Sequence, residues 1–290
     1  MIVFYDPRCT DYGAAGHPER PARASASEHH LRAACPDLEW RQPSAASDEM
    51  LLRAHSPAHL ARIRTGGHDF DADTPAYPEI AQHAARATGA ACAVARASLG
   101  GTPAFSLMRP PGHHATRDQA MGFCFFNHVA VAAFDALAGG AERVAIWDFD
   151  AHHGNGTEAI VAGHERLAFA SVHQFPGYPG TGTRSLGNIH NFPVAPHTPR
   201  AQHRSEVERA LAKLLDFKPD LLLVSAGFDA YEGDPITQMS LQADDFALFG
   251  RWLRETAIPA GAILEGGYSD DLPFLIESFL HAWAESPAPR

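Results

Sequence analysis

The sequence predicts an α/β fold in which helices cover both faces of a parallel sheet. Short apolar runs alternate along the chain with longer segments of helical character, and this alternation is typical of βαβ units. The apolar runs are continuous rather than alternating with polar residues, as expected for strands that are buried on both faces. A chain of 290 residues is long enough to bury one large core, so we expect a single domain over residues 1–290.

Six apolar runs are predicted to form strands. They occupy residues 2–5, 104–107, 144–147, 167–172, 221–225 and 262–264. Each run is short, and glycine, proline or charged residues flank it at one end or both, which limits its length.

Six other segments are predicted to form helices. They occupy residues 57–65, 80–99, 129–137, 200–215, 243–256 and 272–284. The first begins with Ser56 as N-cap and Pro57 at the first helical position, a favourable combination. The second is rich in alanine and is followed by Gly100 and Gly101, which end a helix.

Polar clusters follow four of the predicted strands. They occupy residues 109–114, 148–153, 227–229 and 265–268. Ligands of parallel α/β sheets bind beyond the carboxyl ends of the strands. If these four strands are neighbours, the clusters meet at one edge of the sheet and form the functional site.

The segment from Asp148 to His153 predicts a metal site, since buried carboxylates are usually compensated by a cation. Alternate residues of an extended segment point the same way, so Asp148, Asp150 and His152 are expected to share one side. Catalytic zinc usually has three protein ligands, and Asp229 is the best candidate for the third after Asp150 and His152. Iron(II) also suits these ligand types, and capping of the next element is the alternative role for Asp229.

Histidine and tyrosine side chains in the other clusters suit catalysis. His113 and His114 follow two prolines and a glycine, and neighbouring imidazoles on such a rigid turn suit general base and acid work. Tyr268 follows two glycines and is a candidate donor to an oxyanion. The alternatives are a packed histidine pair and a tyrosine in a loop wall.

Composition excludes several classes of function. The formal charge is −11, so the basic footprint of a nucleic-acid-binding protein is missing. No apolar run reaches the length of a membrane span. Four cysteines without a C-x-x-C pair and an N-terminus unlike a signal peptide favour a cytoplasmic protein. A homo-oligomer is compatible with the sequence.

Taken together, the motifs resemble the histone deacetylase family, and in particular its class II-like bacterial branch, to which acetylpolyamine amidohydrolases and acetoin-utilisation proteins are related. The motifs occur in family order along nearly the whole chain. They are residues 17–21, 109–115, 122–127, 148–157, 225–230 and 264–268. The resemblance implies an arginase-like fold with an eight-stranded parallel sheet.

The resemblance also implies roles for the site residues. Asp150, His152 and Asp229 match the zinc ligands of the family. His114 matches the general base, which later protonates the leaving amine, and it is oriented by Asn155. This asparagine stands where an aspartate would stabilise the charged imidazole better. His113 and Asp148 match a pair that tunes the electrostatics of the site. Tyr268 matches the residue that holds the carbonyl oxygen.

A potassium ion accompanies the zinc in this family. Its ligands match the side chains of Asp148, Asp150 and Ser171 and the backbone carbonyls of Asp150, His152 and Val172.

The substrate channel is the remaining feature that the resemblance implies. Phe123 and Tyr178 match the walls that grip the lysine methylenes, with Gly122 beside them, and Asp73 matches a rim residue. Ile236 matches an apolar gatekeeper, which favours acyl-lysine in a peptide or protein as substrate. Glu232 lies close enough in sequence to keep an acetylated polyamine in consideration.

Three functions follow from this sequence. The first is a zinc-dependent amidohydrolase that removes acetyl or other acyl groups from lysine or related amines. The second is a binuclear manganese ureohydrolase of the arginase kind, in which Asp148 bridges a second metal. The third is a non-catalytic module that binds acyl-lysine or a small molecule.

Overall fold

The computed structural model describes residues 1–284 and contains an eight-stranded sheet whose neighbouring strands are all parallel. Strands β1 to β8 are Ile2–Phe4, Glu39–Arg41, Ala104–Ser106, Val144–Asp148, Leu167–Gln174, Ile189–Val194, Leu221–Ala226 and Ala260–Leu264. Their order across the sheet is β2-β1-β3-β8-β7-β4-β5-β6. The predicted fold class is confirmed. Residues 285–290, which the predicted domain includes, lie outside the described part of the chain.

Helices connect the strands. Helices α1 to α9 are Ala22–Ala34, Asp48–Leu51, Pro57–Thr65, Ile80–Leu99, His128–Ala138, Asn155–Val161, Arg200–Leu215, Ala243–Glu255 and Leu272–Ala284, and a 3₁₀ turn spans Pro7–Thr10. All six predicted strands and all six predicted helices are present, with ends that differ by no more than two residues. Within residues 1–284, no helix combines the length and the apolarity needed to cross a bilayer.

The prediction missed two strands and three helices. Both missed strands, β2 and β6, are the edges of the sheet, where a strand needs no continuous apolar run because one side is unpaired. Strand β2 is only Glu-Trp-Arg, and Pro193 interrupts the apolar pattern of β6. Helix α1 buries Leu31 as its only large apolar side chain, so its helical period is weak in the sequence. Helices α2 and α6 are short.

Both faces of the sheet are buried under helices. Trp147 and Val224 belong to a core cluster with side chains of α7, α8 and α9. Their neighbours in sequence, Ile146 and Leu223, belong to a second cluster with side chains of α4 and α5. Because successive side chains of a strand point to opposite faces, burial on both sides explains why these strands are continuous apolar runs.

The strand order brings the polar clusters together. Strands β3, β8, β7 and β4 are consecutive in the sheet, and these are the four strands that the polar clusters follow. Since all four run parallel, their carboxyl ends lie side by side. The expectation that the clusters meet at one edge of the sheet is therefore confirmed.

Candidate active site

Three side chains that could hold a metal ion converge beyond the ends of β4 and β7. Asp150 and His152 follow β4, Asp229 follows β7, and their ligand atoms all lie within 4.8 Å of one another. His152 Nδ1 is 2.8 Å from Asp229 Oδ2 and 3.1 Å from Asp150 Oδ1. Two carboxylates and one imidazole at this spacing fit a divalent ion with three protein ligands and an open fourth position.

Backbone amides orient the two carboxylates. Asp229 Oδ1 accepts a hydrogen bond of 2.7 Å from the amide of Ala151, and Asp150 Oδ2 accepts one of 2.7 Å from the amide of Gly266. The other oxygen of each carboxylate is turned towards the imidazole of His152, and Asp150 Oδ1 also accepts a hydrogen bond of 2.9 Å from the amide of His152. Such outer partners fix the direction of ligating oxygens.

The electrostatics of this group favour a cation. Burial raises the pKa of Asp229 to about 7, and the nearby charge of Asp150 adds to the effect. Burial acts in the same direction on Asp150, but the imidazoles of His113 and His152 outweigh it and hold the pKa of Asp150 below its ordinary value. Two buried carboxylates thus compete for limited positive charge, and a bound divalent ion relieves that competition.

His113 and His114 lie side by side but differ in charge. Their ring centroids are 4.0 Å apart. Burial disfavours the charged form of His113, yet the carboxylates of Asp150 and Asp148 outweigh burial and raise its pKa to about 10. His113 Nδ1 lies 3.1 Å from Asp148 Oδ2. For His114, burial and the charges of His113 and His152 act together and lower the pKa well below its usual range.

The tautomer of His114 follows from its partner. Asn155, the first residue of α6, places Oδ1 2.8 Å from His114 Nδ1. A carbonyl oxygen accepts hydrogen bonds, so Nδ1 carries the proton and Nε2 keeps its lone pair. His114 is therefore a neutral imidazole with a free basic nitrogen.

Glu265 anchors the turn that carries these histidines. It directly follows β8 and is fully buried. Its Oε2 accepts hydrogen bonds from the amides of Gly112, at 2.7 Å, and of His113, at 3.1 Å. The sequence placed Glu265 in a polar cluster but gave it no role. Its position at the carboxyl end of a buried strand was the available signal.

Arg23 holds the segment of Tyr268 and was missed because α1 was missed. Its Nε donates to the carbonyl of Gly267 at 2.6 Å, and another guanidinium nitrogen donates to the carbonyl of Glu265 at 2.5 Å. The guanidinium carbon lies 4.7 Å from the centroid of the Tyr268 ring. Burial raises the pKa of Tyr268 well above its usual range, so the hydroxyl remains a hydrogen-bond donor.

A pocket of about 280 Å³ opens onto these groups. It is lined by Pro18, Asp73, His114, Gly122, Phe123, His152, Tyr178, Ile236 and Tyr268. Gly122 has φ of +56°, and a Cβ there would lie 2.6 Å from His114 Cδ2 and 2.9 Å from Tyr178 Cε1. A side chain at position 122 would therefore close the channel between these two rings.

The structure separates one predicted substrate residue from the others. Asp73, Gly122, Phe123, Tyr178 and Ile236 line the pocket. Glu232 does not line this pocket, so its place in the substrate channel stays a prediction. It is an exposed residue whose amide bonds to the carbonyl of Leu241 and whose carboxylate accepts from Gln242 at 3.1 Å. These bonds direct it towards the start of α8.

Three of the five predicted potassium ligands lie on adjacent strands, and the other two, Asp150 and His152, follow the end of β4. Asp148 of β4 is paired in register with Ser171 of β5, and Val172 follows on β5. All three are buried, and Ser171 Oγ lies 2.9 Å from His173 Nδ1.

The sequence profile of the histone deacetylase domain matches residues 17–282. The chain belongs to the histone deacetylase family. A relative from Pseudomonas aeruginosa, a histone deacetylase-like amidohydrolase, is 39% identical over 280 residues, which cover 89% of this chain and 74% of the relative. Membership in this family makes the chain a hydrolase of the deacetylase type.

Solved structures of this histone deacetylase family have the same fold. The HD domain of HDA15 superposes with a TM-score of 0.90 at 30% identity, covering 98% of this chain and 91% of that one. An acetylpolyamine aminohydrolase from Burkholderia pseudomallei gives a TM-score of 0.86 at 26% identity, with 98% of both chains covered.

Proposed function

We propose that this protein is a zinc-dependent deacylase that removes acetyl or other acyl groups from amines such as the lysine side chain. One observation carries the proposal. A single pocket is lined by His152 of the metal-ligating group, by the neutral imidazole of His114 and by the protonated hydroxyl of Tyr268. Amide hydrolysis requires a Lewis acid, a general base and a hydrogen-bond donor to the oxyanion. His152 would hold the Lewis acid, and the other two residues supply the base and the donor.

Zinc fits the donor set of Asp150, His152 and Asp229, and when bound it supplies Lewis acidity that polarises an amide carbonyl and acidifies water. His114 Nε2 takes the proton from the attacking water and then passes it to the departing amine. His113, charged between Asp148 and Asp150, adds positive charge beside the developing negative charge. The hydroxyl of Tyr268 donates a hydrogen bond to the carbonyl oxygen. We also propose that a potassium ion binds at Asp148 and Ser171.

The walls of the pocket favour an acyl-lysine chain over an acetylated polyamine. Phe123 and Tyr178 present aromatic surface to the methylene groups of the substrate, and Ile236 adds an apolar wall. Of the two acidic residues considered for substrate contact, Asp73 lines the pocket and Glu232 does not, so Glu232 offers no partner there to a second ammonium group.

The number of candidate metal-ligand groups favours hydrolysis of amides over ureohydrolase chemistry. A binuclear manganese site needs further carboxylate and histidine ligands. In the described residues, one group of three such side chains meets, formed by Asp150, His152 and Asp229. We therefore infer one catalytic metal ion per chain.

The test compares acetate release from an acetyl-lysine peptide by zinc-loaded wild-type protein and by Tyr268→Phe. Loss of one oxyanion donor costs about 10²–10³ in turnover, and the zinc content of the variant should equal that of the wild type. Tyr231→Phe is the matched control, because the hydroxyl of Tyr231 contacts Asp271 at 3.1 Å and not the pocket. Unchanged turnover in Tyr268→Phe would remove this residue from the mechanism.

A further inference from the structure

Asp234 is a buried carboxylate in a loop that is otherwise largely exposed. Gly233 and Pro235 on either side of it are exposed, whereas Asp234 is only 7% exposed. Its two oxygens have different partners. Oδ1 accepts a hydrogen bond of 3.0 Å from the amide of Ile236, and Oδ2 accepts one of 2.8 Å from the amide of Tyr268. One side chain thus bonds to the backbone of two residues that line the same pocket.

The bond to Tyr268 completes a clamp on one peptide group. The carbonyl of Gly267 and the amide of Tyr268 belong to the same peptide unit. Arg23 Nε donates to that carbonyl at 2.6 Å, and Asp234 Oδ2 accepts from that amide at 2.8 Å. A cation and an anion therefore hold the two ends of one peptide dipole with charge-assisted bonds. These two bonds restrain the chain next to Gly267, whose φ of +115° is a conformation that glycine adopts readily.

The bond to Ile236 fixes a second part of the pocket wall. A carboxylate that accepts from the amide two residues ahead closes a local turn. That turn sets the position of Ile236, whose side chain lines the pocket. A displacement of Asp234 therefore moves the oxyanion donor and the apolar wall together.

We propose that Asp234 is a positioning residue that couples turnover to substrate selection, an inference that rests on the proposed deacylase function. It sets the direction of the Tyr268 hydroxyl through the clamped peptide group and the width of the pocket through Ile236.

Two substitutions of Asp234 should lower kcat to different extents. Asp234→Ala removes both acceptors. Asp234→Asn keeps one acceptor oxygen and turns an NH₂ group towards the other amide, so one anchor is lost in a side chain of the same shape. Misplacement of a catalytic group by about 1 Å costs about 10²-fold. We expect kcat to fall about 10- to 100-fold in Asp234→Ala and less in Asp234→Asn.

Substrate selection is the readout that simple destabilisation leaves unchanged. A smaller folded or metal-loaded fraction lowers kcat equally for every substrate and leaves KM constant. Loss of the Asp234 anchor should instead change the ratio of kcat/KM between an acetyl-lysine peptide and an acetylated polyamine. Zinc content and the melting temperature of each variant are measured in parallel.

A double-mutant cycle separates the effect of Asp234 on Tyr268 from its effect on Ile236. In a Tyr268→Phe background the hydroxyl is already gone, so Asp234→Asn should lower kcat little further, whereas the substrate ratio should still shift. Asp271→Asn is the matched control. It removes an exposed carboxylate whose contact is the hydroxyl of Tyr231, and it should leave both quantities near the wild-type values.

Amide hydrogen exchange tests the proposal without any activity. Exchange at Tyr268 and Ile236 should be faster in Asp234→Asn than in wild type or Asp271→Asn, because their acceptor is weakened. Unchanged exchange would overturn the proposal, as would an unchanged substrate ratio, a loss of kcat proportional to zinc content, or full additivity with Tyr268→Phe. Absence of acetate release from wild-type protein with altered exchange in the variant would instead refute the deacetylase activity on which the proposal rests and leave the positioning role of Asp234 intact.

Discussion

The substitution Gly227→Ala tests how tightly the proposed metal ligands are packed. An added Cβ at this position would lie 2.1 Å from Asp150 Oδ2 and 2.5 Å from Asp150 Cβ. Nonbonded carbon contacts are favourable at about 3.5 Å and beyond, so the carboxylate of Asp150 would have to withdraw by about 1 Å. Metal ligation tolerates deviations of about 0.2 Å. We therefore expect Gly227→Ala to weaken zinc binding by at least the ~10- to 100-fold that disturbed outer partners cost.

The control is a glycine with equal crowding away from the metal ligands. A Cβ on Gly261 in β8 would lie 2.4 Å from Val94 Cγ1, in the core. Gly261→Ala should lose about 1–3 kcal/mol of stability through overpacking and keep its zinc affinity. Competition with a chromophoric chelator measures affinity, and thermal unfolding of the metal-free proteins measures stability. Wild-type zinc affinity in Gly227→Ala, or an equal loss of affinity in both variants, would contradict this prediction.

Three further changes test the site. Asn155→Asp places a carboxylate on Nδ1 of His114 and should raise the pKa of that imidazole. A base must be neutral to accept a proton, so the acid limb of the pH profile of kcat should move to higher pH, and an unmoved limb would exclude His114 as the base. Removal of the metal by a chelator should lower stability by about 2.7 kcal/mol relative to protein at 100 times Kd, and an unchanged melting temperature would contradict a resident metal ion. Glu265→Ala leaves the amides of Gly112 and His113 without an acceptor and should cost about 2 kcal/mol or more in urea unfolding; a loss within error of zero would argue against the anchor.

The sequence predicted the centre of the fold better than its edges. Strands such as Val144–Asp148 are buried on both faces, so they must be continuous apolar runs, and that pattern is visible without a structure. Strand Glu39–Arg41 lies at the sheet edge and needs no such run. Its pairing depends on β1, which is distant in the sequence, so local pattern carries no signal for it.

The same distinction applies to the candidate site. Asp150, His152 and Asp229 lie within four residues of the ends of β4 and β7, and the parallel sheet brings them together. Arg23 and Asp234 act through backbone groups of the Tyr268 segment, and such contacts between distant segments have no sequence pattern. Glu232, two residues before Asp234, does not line the pocket, because nearness in sequence does not fix which residues of a turn face it.

Titration of metal-free protein with zinc while acetate release from an acetyl-lysine peptide is followed tests the central claim most directly. We predict that activity rises linearly and reaches its plateau at one zinc ion per chain, because one group of three candidate ligands converges in the described residues. A rise that continues to two ions per chain, or no acetate release at any zinc concentration, would contradict it.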